Sequence, residues 1–215
     1  MKARLRLLAP VTAALAASVA LAAPSANAGL ISGLLGGVTQ VVLPTCGTSS
    51  QVFAGVDGDQ ASYFGFANNG FESGSQGWAL SGGAYVGSGN EPWNVNGSGS
   101  HSLVLPPNAS ATSPGFCINL LDPAVRMFAH SLSASGGLQV QVLFRGLTGN
   151  LTGILNVSSL DSGDYASWRP TSRISSALAL PLLTAYAQIR VTNTGWRGNW
   201  QVDDAFVDPC LSRLG

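Results

Sequence analysis

Two stretches alternate apolar and polar residues with a period of two, and they constrain the fold more than any other feature. In Leu138-Gln139-Val140-Gln141-Val142-Leu143-Phe144-Arg145, residues Leu138, Val140, Val142 and Phe144 point one way and Gln139, Gln141 and Arg145 the other. Ala187, Ile189 and Val191 alternate in the same manner with Gln188, Arg190 and Thr192. A period of two belongs to a strand with one buried face. Shorter apolar runs surround these two, separated by Gly-, Ser- and Asn-rich turns. They are Val52-Phe53, Tyr63–Phe66, Trp78–Leu80, Ala84–Val86, His101–Leu105, Ser110–Ile118, Val125–Leu132, Leu151–Leu160, Tyr165–Arg169 and Asn199–Asp208. Ser81-Gly82-Gly83 reads as a hairpin turn between two of them, and Asp57-Gly58-Asp59 as a solvated turn. About nine or ten strands at this spacing predict an all-β fold, a single sandwich or barrel. No helix-period segment of useful length follows Ser50.

The chain before that point has a different character. Lys2, Arg4 and Arg6 precede an apolar run over Leu7–Ala23, and Ala26-Asn27-Ala28 has the small-x-small shape of a cleavage site. Residues 1–28 therefore read as a signal peptide. The run is broken by Pro10 and falls short of the roughly 20 residues that span a bilayer. Cleavage after Ala28 leaves 187 residues, a length suited to one domain. Residues 29–50 form an apolar, glycine-rich lead-in, in which Gly29–Pro44 is a flexible tether or an attachment segment. Residues 51–210 form the β domain. The expected location is secreted, extracellular or at the cell surface.

Export removes three of the ten basic residues. Seven arginines then face ten acidic residues, a net charge of −3, with no lysine at all. That balance gives no footprint for nucleic acid or anionic lipid. No later apolar run is long enough to span a membrane. Three cysteines remain in an oxidising compartment: Cys46, Cys117 and Cys210. Three pairings are open. Cys46–Cys117 is favoured because Cys210 lies five residues from the end, and such a bridge would contribute about 4 kcal/mol by the chain-entropy model.

The residues offer little for catalysis. The only glutamates are Glu72 and Glu91, and His101 and His130 sit in no recognisable motif. No Gly-x-Ser-x-Gly elbow occurs, and no strand–glycine–helix unit exists to cradle a phosphate. Binding is better served. Trp93 lies in a long polar loop that has no alternation to bury it. Tyr85, Trp168 and Tyr186 are further aromatic candidates, and Tyr186 shares its strand face with Gln188 and Arg190. Rings of this kind can lie against the apolar face of a sugar, with amides and carboxylates such as Glu91 at the rim. Trp78, Trp196 and Trp200 read as core or sheet-edge residues.

Two motifs carry a resemblance. Asn69-Gly70-Phe71-Glu72-Ser73-Gly74, followed by Gly77-Trp78, resembles the opening strand of galactose-binding-like jelly-roll domains, notably carbohydrate-binding modules. Val202-Asp203-Asp204-Ala205-Phe206-Val207 resembles their last strand, with Ala205 where a valine is usual. The resemblance spans roughly Gln51 to Pro209. The chain is also similar to a group of secreted bacterial proteins through Gly89-Asn90-Glu91-Pro92 and Ala111-Thr112-Ser113-Pro114. The resemblance implies a jelly-roll β-sandwich and one structural calcium ion at Glu72, Asp203 and Asp204, since calcium takes six to eight hard oxygens. It also implies non-catalytic binding of a glycan or cell-surface polysaccharide. The alternative is a structural or adhesive exported protein without a small-molecule site.

Overall fold

A computed structural model of the chain describes residues 47–116, 124–132, 135–175 and 183–208. Cys46, Cys117, Cys210 and the segment Gly29–Pro44 lie outside the described residues.

The described chain contains twelve strands and no helix. In order they are β1 (Phe64–Gly65), β2 (Ala79–Ser81), β3 (Tyr85–Ser88), β4 (His101–Leu105), β5 (Ser110–Thr112) and β6 (Ala124–Leu132). There follow β7 (Gly137–Arg145), β8 (Leu151–Asp161), β9 (Arg169–Pro170), β10 (Ile174–Ser175), β11 (Tyr186–Asn193) and β12 (Asn199–Asp208). All pairings are antiparallel. One sheet has the order β10-β6-β12-β4-β3, with β1 added to β12 and β9 to β6; the other has the order β2-β5-β11-β7-β8.

Both alternating stretches form strands of the five-stranded sheet, paired over their length from Tyr186↔Arg145 to Asn193↔Leu138. Their apolar faces (Leu138, Val140, Val142, Phe144; Ala187, Ile189, Val191) meet Leu103, Leu105, Val125, Met127, Trp200 and Val202 of the opposite sheet in one core. The fold is an all-β sandwich, as the period of two requires. Burying a side chain such as Ile189 or Met127, each fully enclosed, contributes about 1.5–3 kcal/mol.

Four local expectations are corrected. The Ser81-Gly82-Gly83 turn does not close a hairpin: β2 pairs with β5 and β3 with β4, so the turn carries the chain from one sheet to the other. Gly82 has φ +67°, and a Cβ there would stand 2.8 Å from the Ala109 Cα, so only glycine fits beneath the β4–β5 turn. Phe71–Gly77 is not a strand but a series of turns, in which Phe71 packs its ring on Trp78, with centroids 4.8 Å apart. Tyr165–Arg169 is a turn that reaches a two-residue strand only at Arg169–Pro170. The Asp57-Gly58-Asp59 turn is more than a solvated loop. Its carboxylates pair with the buried Arg126 guanidinium, with Nη1 2.9 Å from an Asp59 oxygen and Nη2 on Asp57. Tyr63 donates its hydroxyl to Asp59 at 2.5 Å. These bonds fasten residues 50–63 over the outer surface of the seven-stranded sheet, where Phe53, Tyr63, Phe128 and Phe206 form a second, small cluster.

Candidate functional site

The outer face of the seven-stranded sheet is set by parity. On β6, Val125, Met127 and Ala129 enter the main core, so Arg126, Phe128 and His130 face outward. On β3, Val86 packs on the core, so Tyr85 faces outward. The register places Tyr85, Val104, Gln201 and His130 in one row across β3, β4, β12 and β6. Three inter-strand steps make that row about 14 Å long.

Aromatic rings stand at its ends and side. Tyr85 is 49 % exposed and Trp93 39 % exposed. The Trp93 ring lies 5.3 Å from Phe128, centroid to centroid, and the half-buried Trp168 ring lies 5.5 Å from His130. Between them the polar groups are linked. His130 Nδ1 is 3.3 Å from Gln201 Oε1, and Gln201 donates its amide to the Ser88 carbonyl at 3.2 Å. Ser102 Oγ is buried nearby without a hydrogen-bond partner; a Cβ on Gly89 would come within 3.0 Å of it and 2.8 Å of Gln201 Nε2.

Of the expected ligand-binding residues, the fold therefore brings Tyr85, Trp93 and Trp168 to one face. Tyr186 goes elsewhere, to the five-stranded sheet opposite Arg145. Glu91 is not at a rim. It is 1 % exposed, and its two oxygens accept the Trp93 and Val95 backbone N–H groups. Its role is to shape the loop that presents Trp93. His130 and Gln201 were not singled out in the sequence; their alternation only says that they face away from the core. Trp196 is corrected too: it is 70 % exposed at the β11–β12 turn rather than part of the core or sheet edge.

A carboxylate cluster lies beside this face, where β12 is irregular. The pairing of β12 with β6 shifts register between Asp203 and Phe206, and Asp204 takes φ +46°. The bulge turns two successive aspartates into the protein. Asp203 and Asp204 are 0 % and 3 % exposed. Asp203 accepts the backbone N–H of Glu91 at 3.1 Å and of Asp204 at 2.9 Å. Asp204 accepts the Asn96 side-chain amide at 2.5 Å. Burial first, and then the charge of Asp204, raise the Asp203 carboxyl to about 8. Burial and the charge of Glu91 raise Asp204 to about 7, against the Asn96 hydrogen bond. The ion pairs among the described residues involve Glu72, Asp57, Asp59 and Asp208, and none supplies a cation to Glu91, Asp203 or Asp204.

Glu72 and Asp204 line a common cavity of about 40 Å³ with Gly70, Asn90, Asn96 and Gly99. Glu72 accepts the backbone N–H groups of Ser100 and His101, each at 2.8 Å, and stands 3.0 Å from His101 Nδ1. Partial burial works against its ionisation, but the hydrogen bonds from the His101 ring and these amides outweigh it and hold the carboxyl at about 2. Asp203 does not share the cavity; both its oxygens serve backbone amides. Among the described residues no three acidic, histidine or cysteine side chains converge at metal-binding distance.

No family model and no curated protein sequence matches the chain. Solved structures do. The CBM22-1 xylan-binding domain of Paenibacillus barcinonensis Xyn10C is 14 % identical, with a TM-score of 0.46 over 65 % of this chain and 90 % of that one. A TmCBM61 structure in complex with β-1,4-galactotriose is 18 % identical, with a TM-score of 0.42 over 67 % of this chain and 98 % of that one. The MgGH51 α-L-arabinofuranosidase is 14 % identical, with a TM-score of 0.49 over 71 % of this chain but only 27 % of its own.

Proposed function

We propose that this chain is an exported, non-catalytic carbohydrate-binding protein whose ligand lies on the outer face of the seven-stranded sheet. One observation carries the reading. Three aromatic residues from two separate stretches of the chain, Tyr85 and Trp93 in one and Trp168 in the other, flank the hydrogen-bonded His130–Gln201 pair on a single face. Flat apolar rings beside fixed polar groups suit a pyranose, which has an apolar face and a rim of hydroxyls. The Asn-Gly-Phe-Glu and Val-Asp-Asp motifs support the same reading through the domains they resemble. A glycan array probed with the full chain should give binding that Tyr85→Ala and Trp93→Ala each weaken. Trp93 also packs on Phe128, so Tyr85→Ala is the cleaner variant. No glycan bound, together with concentration-dependent assembly lost on deleting Gly29–Pro44, would instead favour the adhesive reading. Export predicts a secreted form that begins at Gly29, which N-terminal sequencing reads directly.

Calcium belongs to the same proposal, as a structural ion. The fit rests on Asp204: its carboxylate is buried without a basic partner, which is expensive unless it is protonated or joined by a cation, and it shares its cavity with Glu72. The ion would be held by Glu72 and Asp204, with the side-chain oxygens of Asn90 and Asn96 as further hard donors around the same cavity. Its contribution would be charge neutralisation and a tie between the 68–77 turns and β12. Asp203 would act from outside, as an acceptor that holds the loop at Glu91.

A further inference from the structure

The β11–β12 turn presents a side chain that the face described above does not use. Trp196 is 70 % exposed, the most solvent-open tryptophan among the described residues. Its neighbour Arg197 lies over the indole, with Cζ 4.1 Å from the ring centroid. A stacked guanidinium of this kind gains roughly 0.5–1 kcal/mol at an exposed site, enough to bias its position. Among the described residues Arg197 has no carboxylate partner: the ion pairs take up Arg126 and Arg173, while Arg145 and Arg190 bond Gln188 and Gln141. Asp161, opposite Gly137, stands at the same end of the sheet two strands away, and its Oδ1 accepts the Gly163 N–H.

The tip beneath these two side chains is rigid. Ser135 Oγ accepts the N–H groups of Trp196 (3.3 Å) and Arg197 (3.2 Å), and the Ser135 N–H donates to the Arg197 carbonyl at 3.0 Å. The buried Asn193 accepts the Gly195 N–H and donates to the Leu105 and Gly198 carbonyls. A Cβ on Gly195 would fall on the Ser135 carbonyl oxygen, so the turn is packed against the β6–β7 connection as closely as glycine allows. Holding an indole and a guanidinium fixed before a ligand arrives lowers the entropy cost of binding.

We propose that this tip is a second binding point, for a carboxylate-bearing pyranose of an acidic glycan. Arg197 takes the carboxylate in a two-pronged hydrogen bond at the outer edge of its guanidinium, and the part of the indole that Arg197 leaves uncovered packs beside the sugar ring. The surroundings favour a sugar over a protein partner. Among the described residues bonded around the tip, Ser135, Thr194, Gly195 and Gly198 are small, and Leu132, 39 % exposed opposite Asn199, is the other exposed large apolar side chain paired beside it, so the apolar surface falls well short of the roughly 800 Å² a stable protein interface needs. This site is independent of the outer face.

The test titrates the full chain with oligogalacturonate and with a neutral xylo-oligosaccharide. Oligogalacturonate should bind, weaken several-fold as salt is raised, and lose about tenfold or more in affinity in Trp196→Ala and in Arg197→Gln, a change of about 1.4 kcal/mol or more. Both side chains are exposed, so unchanged thermal unfolding would show the variants intact. Tyr85→Ala should leave oligogalacturonate binding unchanged, whatever it does to neutral glycans. No binding of oligogalacturonate, equal binding by Trp196→Ala and Arg197→Gln, or loss only in Tyr85→Ala would each overturn the proposal. Capture of phosphatidylglycerol vesicles through Trp196 without oligogalacturonate binding would overturn it as well.

Discussion

Buried side chains of opposite chemistry have consequences that differ in kind in this protein. Phe71 is fully enclosed against Trp78. Phe71→Ala removes apolar contacts and leaves a cavity, and should lower unfolding free energy by about 3–5 kcal/mol in a denaturant titration. Asp203 and Asp204 behave otherwise. Their folded-state pKa values, raised to about 8 and about 7, exceed the ordinary value of 3.8. The folded chain then holds protons that the unfolded chain has released. Stability is greatest below about pH 4 as far as these two groups are concerned, and falls as pH rises towards 8. Glu72 has the opposite sign in a lower window. Its lowered carboxyl contributes stability above about pH 4.5 that is lost towards pH 2, an effect that solvent screening reduces. Thermal melts in chelator should therefore show a lower midpoint at pH 8 than at pH 5.5. Millimolar calcium should reduce that difference by stabilising the ionised Asp204, leaving the share that belongs to Asp203. A chelator-treated protein with equal midpoints at both pH values would contradict this assignment of the aspartates.

At the scale of the element, irregular pieces place the candidate residues and regular strands carry them. The bulge in β12 turns Asp203 and Asp204 inward, and the Ser81-Gly82-Gly83 turn moves the chain between sheets so that Tyr85 arrives on the outer face. Gly82→Ala must fit a Cβ into left-handed backbone and against Ala109. It should destabilise the protein by about 1–3 kcal/mol, measurable as a lower denaturation midpoint. It should also weaken glycan binding through Tyr85 more than a distant substitution of equal stability cost. Arg126 is the corresponding anchor for residues 50–63. Arg126→Ala would leave Asp57 and Asp59 without their cation and uncover Phe53, on which the guanidinium rests at 3.9 Å. A loss of about 2–4 kcal/mol is expected, with faster proteolysis within residues 50–63 as the specific sign that this segment has detached.

For the whole molecule, two sheets of unequal width enclose one core and leave two outward faces of different character. The seven-stranded face carries rings around a polar pair, and the five-stranded face carries Tyr186, Gln188 and Arg190. The architecture was legible in the sequence because burial on one side of a strand writes a period of two into the chain, as in Leu138–Phe144 and Ala187–Val191. The strongest strands appear where that pattern is clearest. Trp93 could be named as a candidate because it lies in a polar loop with no alternation to bury it, and Tyr85 and Trp168 as further aromatics, yet nothing local says that they share a face. Tyr186, named beside them for sharing its strand face with Gln188 and Arg190, stands on the other sheet. That difference depends on which strands pair, which is fixed by contacts between residues remote in sequence. The same holds for Glu91. Its loop looks open, and it is buried because Asp203, 112 residues away, accepts its backbone N–H.

The sequence by itself determined the class of fold, the facing of each long strand and the identity of the aromatic and acidic candidates, because propensity and alternation act between near neighbours. Only the tertiary structure decided that the Gly82 turn joins two sheets and that Glu72 meets Asp204 while Asp203 turns away. It also decided that Trp196 stands in solvent while Trp200, four residues on, is sealed in the core. Those outcomes follow from packing and desolvation across the sandwich, and such long-range terms leave no periodic trace in the chain.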